Sequence, residues 1–388
     1  MPYTIGIDAR KIQDFGIGTY VRNLILGLAR IDQENRYVLL AKPADRESLE
    51  ELPENFSVAV ESSPVYSLRE LVALSWQILR RKLDLYHSTH YVLPAWIASR
   101  VVVTIHDIIH LLYPEFLPNS LALLYAQRMI RRSLGRGDRI IAVSHNTKSD
   151  LLAHFEVEPA KIEVVYNGVA DLFRVSLGEE ELARRLTALG LARPYLLFVG
   201  NPKPHKNLDT VVAAYARARK LAPFEAPLVC VGGSSTKDAK IRQRALHLGV
   251  GDKVRLLGQV AEDELAAIYQ GATLFLYPTL YEGFGLPVVE AMASGVPVIT
   301  SNTSALKELA DGYAQLVNPL DVEGMAKTIA LLMSDADRRA RLTALGRERA
   351  EDFRWEETAR QTLAIYRATL SGVAGVAGET PTAREGAP

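Results

Sequence analysis

Two series of short apolar runs, separated by helical patterns, constrain this chain more than any other feature. The first series is "YTIGID", "YVLLA", "LDLYHS", "VVVTIHD" and "RIIAVS", with amphipathic segments such as "GTYVRNLILGLARI" between runs. A strand with one wet face would alternate apolar and polar residues. These runs do not alternate, so both faces must be covered. That requires β-α-β units and a parallel sheet with helices on each side. The pattern pauses near "VVYNGVADLFRVSLGEEE" and restarts with "YLLFVG", "PLVCVGG", "KVRLLG", "TLFLYPT" and "PVIT". Helices are expected from about Leu208, Lys237, Glu262 and Pro287.

A length of 388 residues accommodates two such cores. The expected organisation is therefore α/β, with two doubly wound Rossmann-like domains at 1–172 and 193–354 joined near 172–193. A last helix, 355–370, is expected to pack back on the first domain, and 371–388 reads as a disordered tail of Gly, Ala, Thr and Pro. The default ligand site is the cleft between the domains. Zero formal net charge disfavours a broad grip on nucleic acid. The lone Cys230 excludes an internal disulfide and a cysteine metal site. The N-terminus has no signal-peptide pattern, and no apolar run approaches the ~18 residues of a membrane span. A cytoplasmic protein is expected, attached at most to the inner face of a membrane.

Ligands of open parallel sheets bind at the carboxyl ends of the strands. After the first strand, Gly16 and Gly18 are expected just before a helix starting near Thr19. There the backbone could approach an anion at a helix N-terminus. The pair does not continue into a full G-x-G-x-x-G, and a plain turn is the structural alternative. "HDIIH" places His106 and Asp107 after another strand, where His106 could donate a hydrogen bond or move a proton. The alternative is a ring satisfied by local backbone. His87 and His90 likewise follow a short strand, and the spacing of His106 and His110 could suit a metal, but no Glu follows His106, so the zinc-protease helix pattern is absent. Gly200 ends "YLLFVG", and His205 and Lys206 follow, just before a helix. A lysine there opposes the helix dipole unless an anion compensates. Finally, "YEGFGLPVVEAMASG" sets Glu282 and Glu290 around a turn. Pro287 suits a first helical turn, so the backbone of Phe284, Gly285 and Leu286 would offer N–H groups to phosphate. Glu290 is expected in that first turn, where a carboxylate suits the dipole even without a ligand.

These segments together resemble the retaining glycosyltransferases of family 4. "EGFGLPVVE" with its E-x7-E spacing, "GNPKPHKNL", "HDIIH", "IIAVSHNTKSDL" and "VVYNGV" carry the likeness, which spans about residues 3–370. Within the family the chain looks most like bacterial mannosyltransferases of polysaccharide and O-antigen assembly. The resemblance implies the GT-B architecture, two facing Rossmann-like domains with the donor held mainly by the second. It implies transfer from a nucleotide diphosphate sugar with retention, without cofactor or divalent metal. The one D-x-D, Asp335 to Asp337, reads as a helix boundary.

Carried over by position, Glu290 binds the donor ribose hydroxyls and Glu282 the transferred sugar. Lys206 takes the diphosphate, and Gly283, Phe284, Gly285 and Leu286 give backbone contacts. Gly200 and His205 line the same pocket, Val260 lies by the base, Gly16 and Gly18 close over the diphosphate, and His106 sits near the reacting sugar. His106, Glu282 and Lys206 are the expected catalytic residues. The chain departs from many relatives in having His205 and Asn201 where an arginine is common. GDP-mannose is the expected donor, by overall likeness, and a glycan or lipid-linked glycan the acceptor. A front-face route is expected, with double displacement open. "LVALSWQILRRKL" and "LLYAQRMIRRSLGRGDR", with Arg128, Arg131, Arg132 and Arg136, suit an anionic membrane surface or a solvated helix face. The competing readings are a nucleotide-sugar epimerase, a glycan phosphorylase, for which no pyridoxal phosphate lysine is identifiable, and a silent nucleotide-sugar binding protein.

Overall fold

The computed structural model describes residues 2–49, 51–63, 68–117, 119–233 and 235–372. The chain divides into two compact units, Met1–Gly168 with the segment from Arg354, and Val169–Phe353.

The first unit holds strands β1 (Thr4–Asp8), β2 (Arg36–Ala41), β3 (Phe56–Val60), β4 (Leu85–Ser88), β5 (Arg100–Ile105), β6 (Arg139–Ala142) and β7 (Ile162–Val164). Its helices are α1 (Phe15–Ile31), α2 (Leu68–Arg80), α3 (Ile109–Leu112), α4 (Ser120–Arg136) and α5 (His145–His154). The strands are all parallel, in the order β3-β2-β1-β4-β5-β6-β7. Ile5, Ile7, Leu39, Leu85, Val102 and Ile141 are buried within it, as non-alternating runs require.

The second unit holds α6 (Glu179–Ala188), β8 (Leu196–Val199), α7 (Leu208–Leu221), β9 (Leu228–Val231), α8 (Ser235–His247), β10 (Val254–Gly258) and α9 (Glu262–Gly271). It continues with β11 (Leu274–Tyr277), α10 (Leu286–Ala293), β12 (Val298–Ser301), α11 (Ser304–Ala310), β13 (Gln315–Val317), α12 (Val322–Ser334) and α13 (Ala336–Ala350). Its parallel sheet runs β10-β9-β8-β11-β12-β13. The helix α14 (Trp355–Ser371) returns to the first unit. There α1 accepts it closely: a Cβ on Gly27 would lie 2.7 Å from the Ala359 methyl. Tyr366 of α14 reaches His87 Nδ1 at 2.5 Å, His87 Nε2 meets Thr104 Oγ1 at 2.8 Å, and Thr104 meets the Tyr20 hydroxyl at 2.8 Å. A buried polar chain thus fixes α14 to the sheet.

Three differences from the sequence expectation have physical causes. The strands β3, β7 and β13 have no counterpart in the expected series, and all three are sheet edges, short and only partly buried. Residues 169–192 are not a bare connection, because Leu182 and Leu186 of α6 are buried in the second unit. Helix α1 begins at Phe15, four residues earlier than expected, so Gly16 and Gly18 lie inside its first turn. The tail expected over 371–388 begins on described residues, Ser371 ending α14 and Gly372 as its cap, whereas 373–388 lie outside the described residues. No helix among the described residues is long and apolar enough to cross a membrane.

Candidate functional site

In the second unit the carboxyl ends of β8 and β11 bring two loops together. Leu280 N–H donates to the His205 carbonyl at 2.8 Å, joining the 3-10 turn Pro204–Lys206 to the segment after β11. Asn207 strengthens the junction. Its backbone is left-handed, with φ of 59°, and its Nδ2 donates to the carbonyls of Pro278 (2.9 Å) and Pro319 (2.8 Å). Asparagine is among the few side-chain-bearing residues that adopt this conformation readily. Three loops are therefore held by one amide.

Lys206 and Glu282 meet at that junction. The Lys206 Nζ donates to Glu282 Oε1 at 2.7 Å and to the Tyr277 hydroxyl at 2.8 Å. Tyr277 in turn donates to Glu282 Oε1 at 3.1 Å. An ammonium has three donors, so one N–H of Lys206 is left for a ligand. Glu282 Oε2 likewise has no hydrogen bond among the described residues. The side chains are 18% and 13% exposed, so a ligand can reach both. The lysine beside a helix start is thus compensated by Glu282 within the protein, as well as by any anion that binds.

The turn between the two glutamates is built as a helix start. Gly285 precedes α10 with φ of 112°, and a Cβ there would overlap Leu306 Cδ2. Only glycine fits that conformation and that space. Pro287 stands in the first turn and has no N–H to satisfy, and the Val288 N–H donates to the Gly285 carbonyl at 2.9 Å, which leaves the Gly285 and Leu286 N–H groups without an acceptor among the described residues. Phe284 is buried edge-on against Phe353 at 5.7 Å, so its ring anchors the turn. Gly283 is buried in the same turn.

Glu290 corrects an expectation. It is the fifth residue of α10 and lies past the first turn, so the helix dipole does not account for it. It is half-buried and accepts a 3.0 Å hydrogen bond from the Tyr269 hydroxyl. Burial pushes its carboxyl up to about 7, the Glu262 charge adds to this, and the Tyr269 bond opposes it. A carboxylate carrying such a cost is a candidate for a site that supplies further hydrogen-bond donors. Across the sheet, Gly200 and Gly232 follow β8 and β9, and Gly258 ends β10. The Gly200 N–H donates to the Val231 carbonyl at 2.9 Å, and the Gly232 N–H to the Gly258 carbonyl at 2.6 Å. Half-buried Val260 follows Gly258, before α9.

In the first unit, His106 follows β5. Its Nε2 faces the Thr89 carbonyl at 2.9 Å, which only accepts, so Nε2 carries the proton and Nδ1 is the acceptor. Burial lowers the ring to about 4, so it is neutral near pH 7. His106 is therefore set to accept a hydrogen bond rather than to act as an imidazolium. Gly16 and Gly18 occupy the first turn of α1, and a Cβ on Gly18 would overlap the Ile12 carbonyl. Both lie within a helix start, Gly18 packed and Gly16 exposed, not in the loop expected before one.

The model described as Glycosyltransferase Family 4 matches residues 16–171, and that described as Glycosyl transferases group 1 matches 180–349. O-antigen chain mannosyltransferase B of Escherichia coli is 30% identical over 298 residues, covering 76% of this chain and 76% of its own length. This chain belongs to glycosyltransferase family 4. A D-inositol 3-phosphate glycosyltransferase of Salinispora arenicola is 28% identical over 394 residues, covering 90% of this chain and 86% of its own. Among solved structures, Anabaena HepE in complex with UDP superposes with a TM-score of 0.76 at 20% identity, covering 95% of this chain and 100% of that one. The glycosyltransferase therefore has the GT-B fold class.

Sequence reasoning missed four residues that shape the glycosyltransferase's site: Tyr277, Tyr269, Asn207 and Ser304. The Ser304 Oγ accepts from the Glu282 N–H at 3.1 Å, from a backbone with φ of 52°. Tyr277 ends a buried strand, and a phenol at such an end needs a partner. That signal was present. Nothing in the sequence marked Ser304. In the first unit the missed group is Asp8, Arg10 and Glu70. Arg10 Nε donates to Asp8 Oδ1 at 2.9 Å, NH2 to Asp8 Oδ2 at 2.6 Å, and NH1 to Glu70 Oε1 at 2.7 Å.

Proposed function

We propose that this glycosyltransferase moves mannose from GDP-mannose to a glycan or lipid-linked glycan acceptor, with retention and without a divalent metal. The observation that carries the donor assignment is the constellation at the carboxyl end of β11. A helix start whose Gly285 and Leu286 N–H groups have no acceptor among the described residues lies between the Lys206–Glu282 pair and half-buried Glu290. The α10 N-terminus and the remaining N–H of Lys206 suit a diphosphate. Glu290 suits the vicinal diol of a ribose, and Glu282 Oε2 a hydroxyl of the transferred sugar. The mannose assignment rests on the Escherichia coli relative's name and identity. The D-inositol 3-phosphate relative keeps a second acceptor class in view.

In a front-face transfer the bond from C1 to the β-phosphate oxygen breaks while the acceptor oxygen bonds to C1 on the same face. The acceptor's proton goes to the departing phosphate oxygen. The developing charge on that phosphate is met by fixed dipoles and an ammonium, which need no reorganisation at the moment of reaction. The one D-x-D supports the metal-free reading, since Asp335 is engaged as the cap of α13, accepting from the Arg338 N–H at 2.8 Å.

The test is a panel of nucleotide sugars offered with polyprenyl-linked glycans, with and without chelator. Nucleotide release, product mass and the anomeric configuration by NMR are followed. GDP-mannose should give the fastest release, an α-linked product and no loss with chelator. Release from no donor would overturn the enzymatic reading. An inverted product would overturn retention, and faster turnover of another donor would overturn mannose.

A further inference from the structure

Two of the chain's three tryptophans face solvent in the first unit, Trp76 at 54% and Trp96 at 68% exposure. They are neighbours. The Ala95 N–H donates to the Leu71 carbonyl at 2.9 Å, and the Trp96 N–H to Ser75 Oγ at 2.9 Å. The segment carrying Trp96 therefore lies along the 71/75 ridge of α2, one position round the helix from Val72 and Trp76. Val72, Trp76 and Leu79 form an outward stripe at helical spacing, all more than half exposed. The far side of the same helix is conventional: Leu74 and Ile78 are buried in the core. An amphipathic helix should not carry a second apolar stripe into water.

The exposed charged residues of α2 itself are all basic. Arg69, Arg80 and Lys82 are exposed beside it, with the Arg80 guanidinium 5.0 Å from the Trp76 ring. The one acid of α2, Glu70, is fully buried on Arg10. In a chain of zero net charge this face is cationic and apolar, with indoles at its centre. Not all the expected basic face takes part. Arg132 donates to the Leu93 and Ala95 carbonyls, at 3.2 and 2.7 Å, and Arg136 to the Ile97 carbonyl at 2.8 Å. These two arginines brace the segment that presents Trp96.

We infer that α2 and the Trp96 segment form a docking surface for an anionic lipid bilayer. The indoles and Leu79 enter the headgroup boundary while Arg69, Arg80 and Lys82 meet lipid phosphates. Indole rings with an apolar body and a polar N–H favour that depth, and flanking cations add attraction to anionic headgroups. The inference stands apart from the donor assignment and does not depend on it.

The test is flotation of the full chain with phosphatidylcholine vesicles, with and without about one-third phosphatidylglycerol. Binding should require the anionic lipid and weaken from about 0.1 M to about 0.5 M salt. The double variant Trp76→Ser with Trp96→Ser should bind on the order of tenfold less tightly, with an unchanged melting temperature because both side chains are exposed. Since Trp355 is buried, the emission of wild-type protein should shift blue on vesicles and be quenched by brominated lipid. Three outcomes would overturn the inference. One is no flotation of folded protein with either vesicle. Another is a folded double variant that floats as well as wild type. The third is self-association, measured by sedimentation, that the double variant abolishes without vesicle binding, which would assign the face to a second copy.

Discussion

Both units place an ion cluster at the carboxyl ends of their parallel strands, and the two clusters have opposite relations to solvent. Asp8, Arg10 and Glu70 are sealed, with side-chain exposures of 2%, 1% and 0%. Arg10 spends its guanidinium on both carboxylates, and Tyr86 adds a 3.1 Å bond to Asp8. Burial alone would raise the Asp8 carboxyl, but Arg10 holds it well below the usual range. Lys206 and Glu282 are instead 18% and 13% exposed, with a donor and an oxygen left over. The sealed cluster has no capacity for a ligand; the open one has. Position at a strand's carboxyl end therefore nominates a site, and unsatisfied capacity at an accessible edge decides it.

The largest expected effect breaks the sealed cluster. Arg10→Met leaves two carboxylates buried without their cation, which costs about 3–5 kcal/mol. Calorimetry should show the first unit melting well below wild type, whereas Lys206→Met should leave the melting temperature nearly unchanged. Equal stability of Arg10→Met and wild type would end the contrast. The next effect lies on the open side. Glu282→Gln and Lys206→Met should each lower kcat by roughly 10²–10³-fold, the range for loss of one prearranged charge contact. Nearly full turnover by either folded variant would remove that residue from the chemistry.

The pH response of Glu290 sharpens the same point. Only the carboxylate accepts both ribose hydroxyls, so binding favours proton release and affinity falls as pH drops through about 7. Between pH 8 and pH 6, nucleotide-sugar affinity should weaken about tenfold, since roughly one-tenth of the carboxyl is ionised one unit below its pKa. Glu290→Gln should bind weakly at both values. The ligand must be the nucleotide sugar or a nucleoside, because a free terminal phosphate titrates near pH 6. A flat wild-type profile would remove the ribose role.

The centre of each sheet was legible in the sequence, whereas of the four edge strands only β10 was. A central strand such as "VVVTI" is buried on both faces and leaves an unbroken apolar run. An edge strand such as β13, with two of its three residues only partly buried, leaves almost none. The site divides similarly. Residue types whose chemistry is local, such as Gly285 at a helix start or Pro287 inside one, could be read from order alone. Pairings could not: Lys206 to Glu282 spans 76 positions, and nothing near either residue names the other. Glu290 was misplaced by one turn boundary, and its real partner, Tyr269, lies 21 residues away.

The smallest expected effect concerns a residue whose side chain bonds to neither member of the pair. Asn207 holds the Lys206 turn to the carbonyls of Pro278 and Pro319. Asn207→Gly keeps the left-handed backbone without strain but removes both bonds. The turn and the segment bearing Glu282 would still be joined through Leu280 N–H and the His205 carbonyl. The loss should therefore appear as looser positioning. With about 0.5–1.5 kcal/mol for a typical hydrogen bond, KM for the donor should rise roughly twofold to tenfold with kcat nearly preserved. Asn207→Ala should do worse than glycine, because alanine must also bear a φ of 59°. If alanine and glycine behave alike, the backbone conformation is not what asparagine supplies. If both match wild type, Leu280 and His205 alone hold the loops together, and the open pair needs no third anchor.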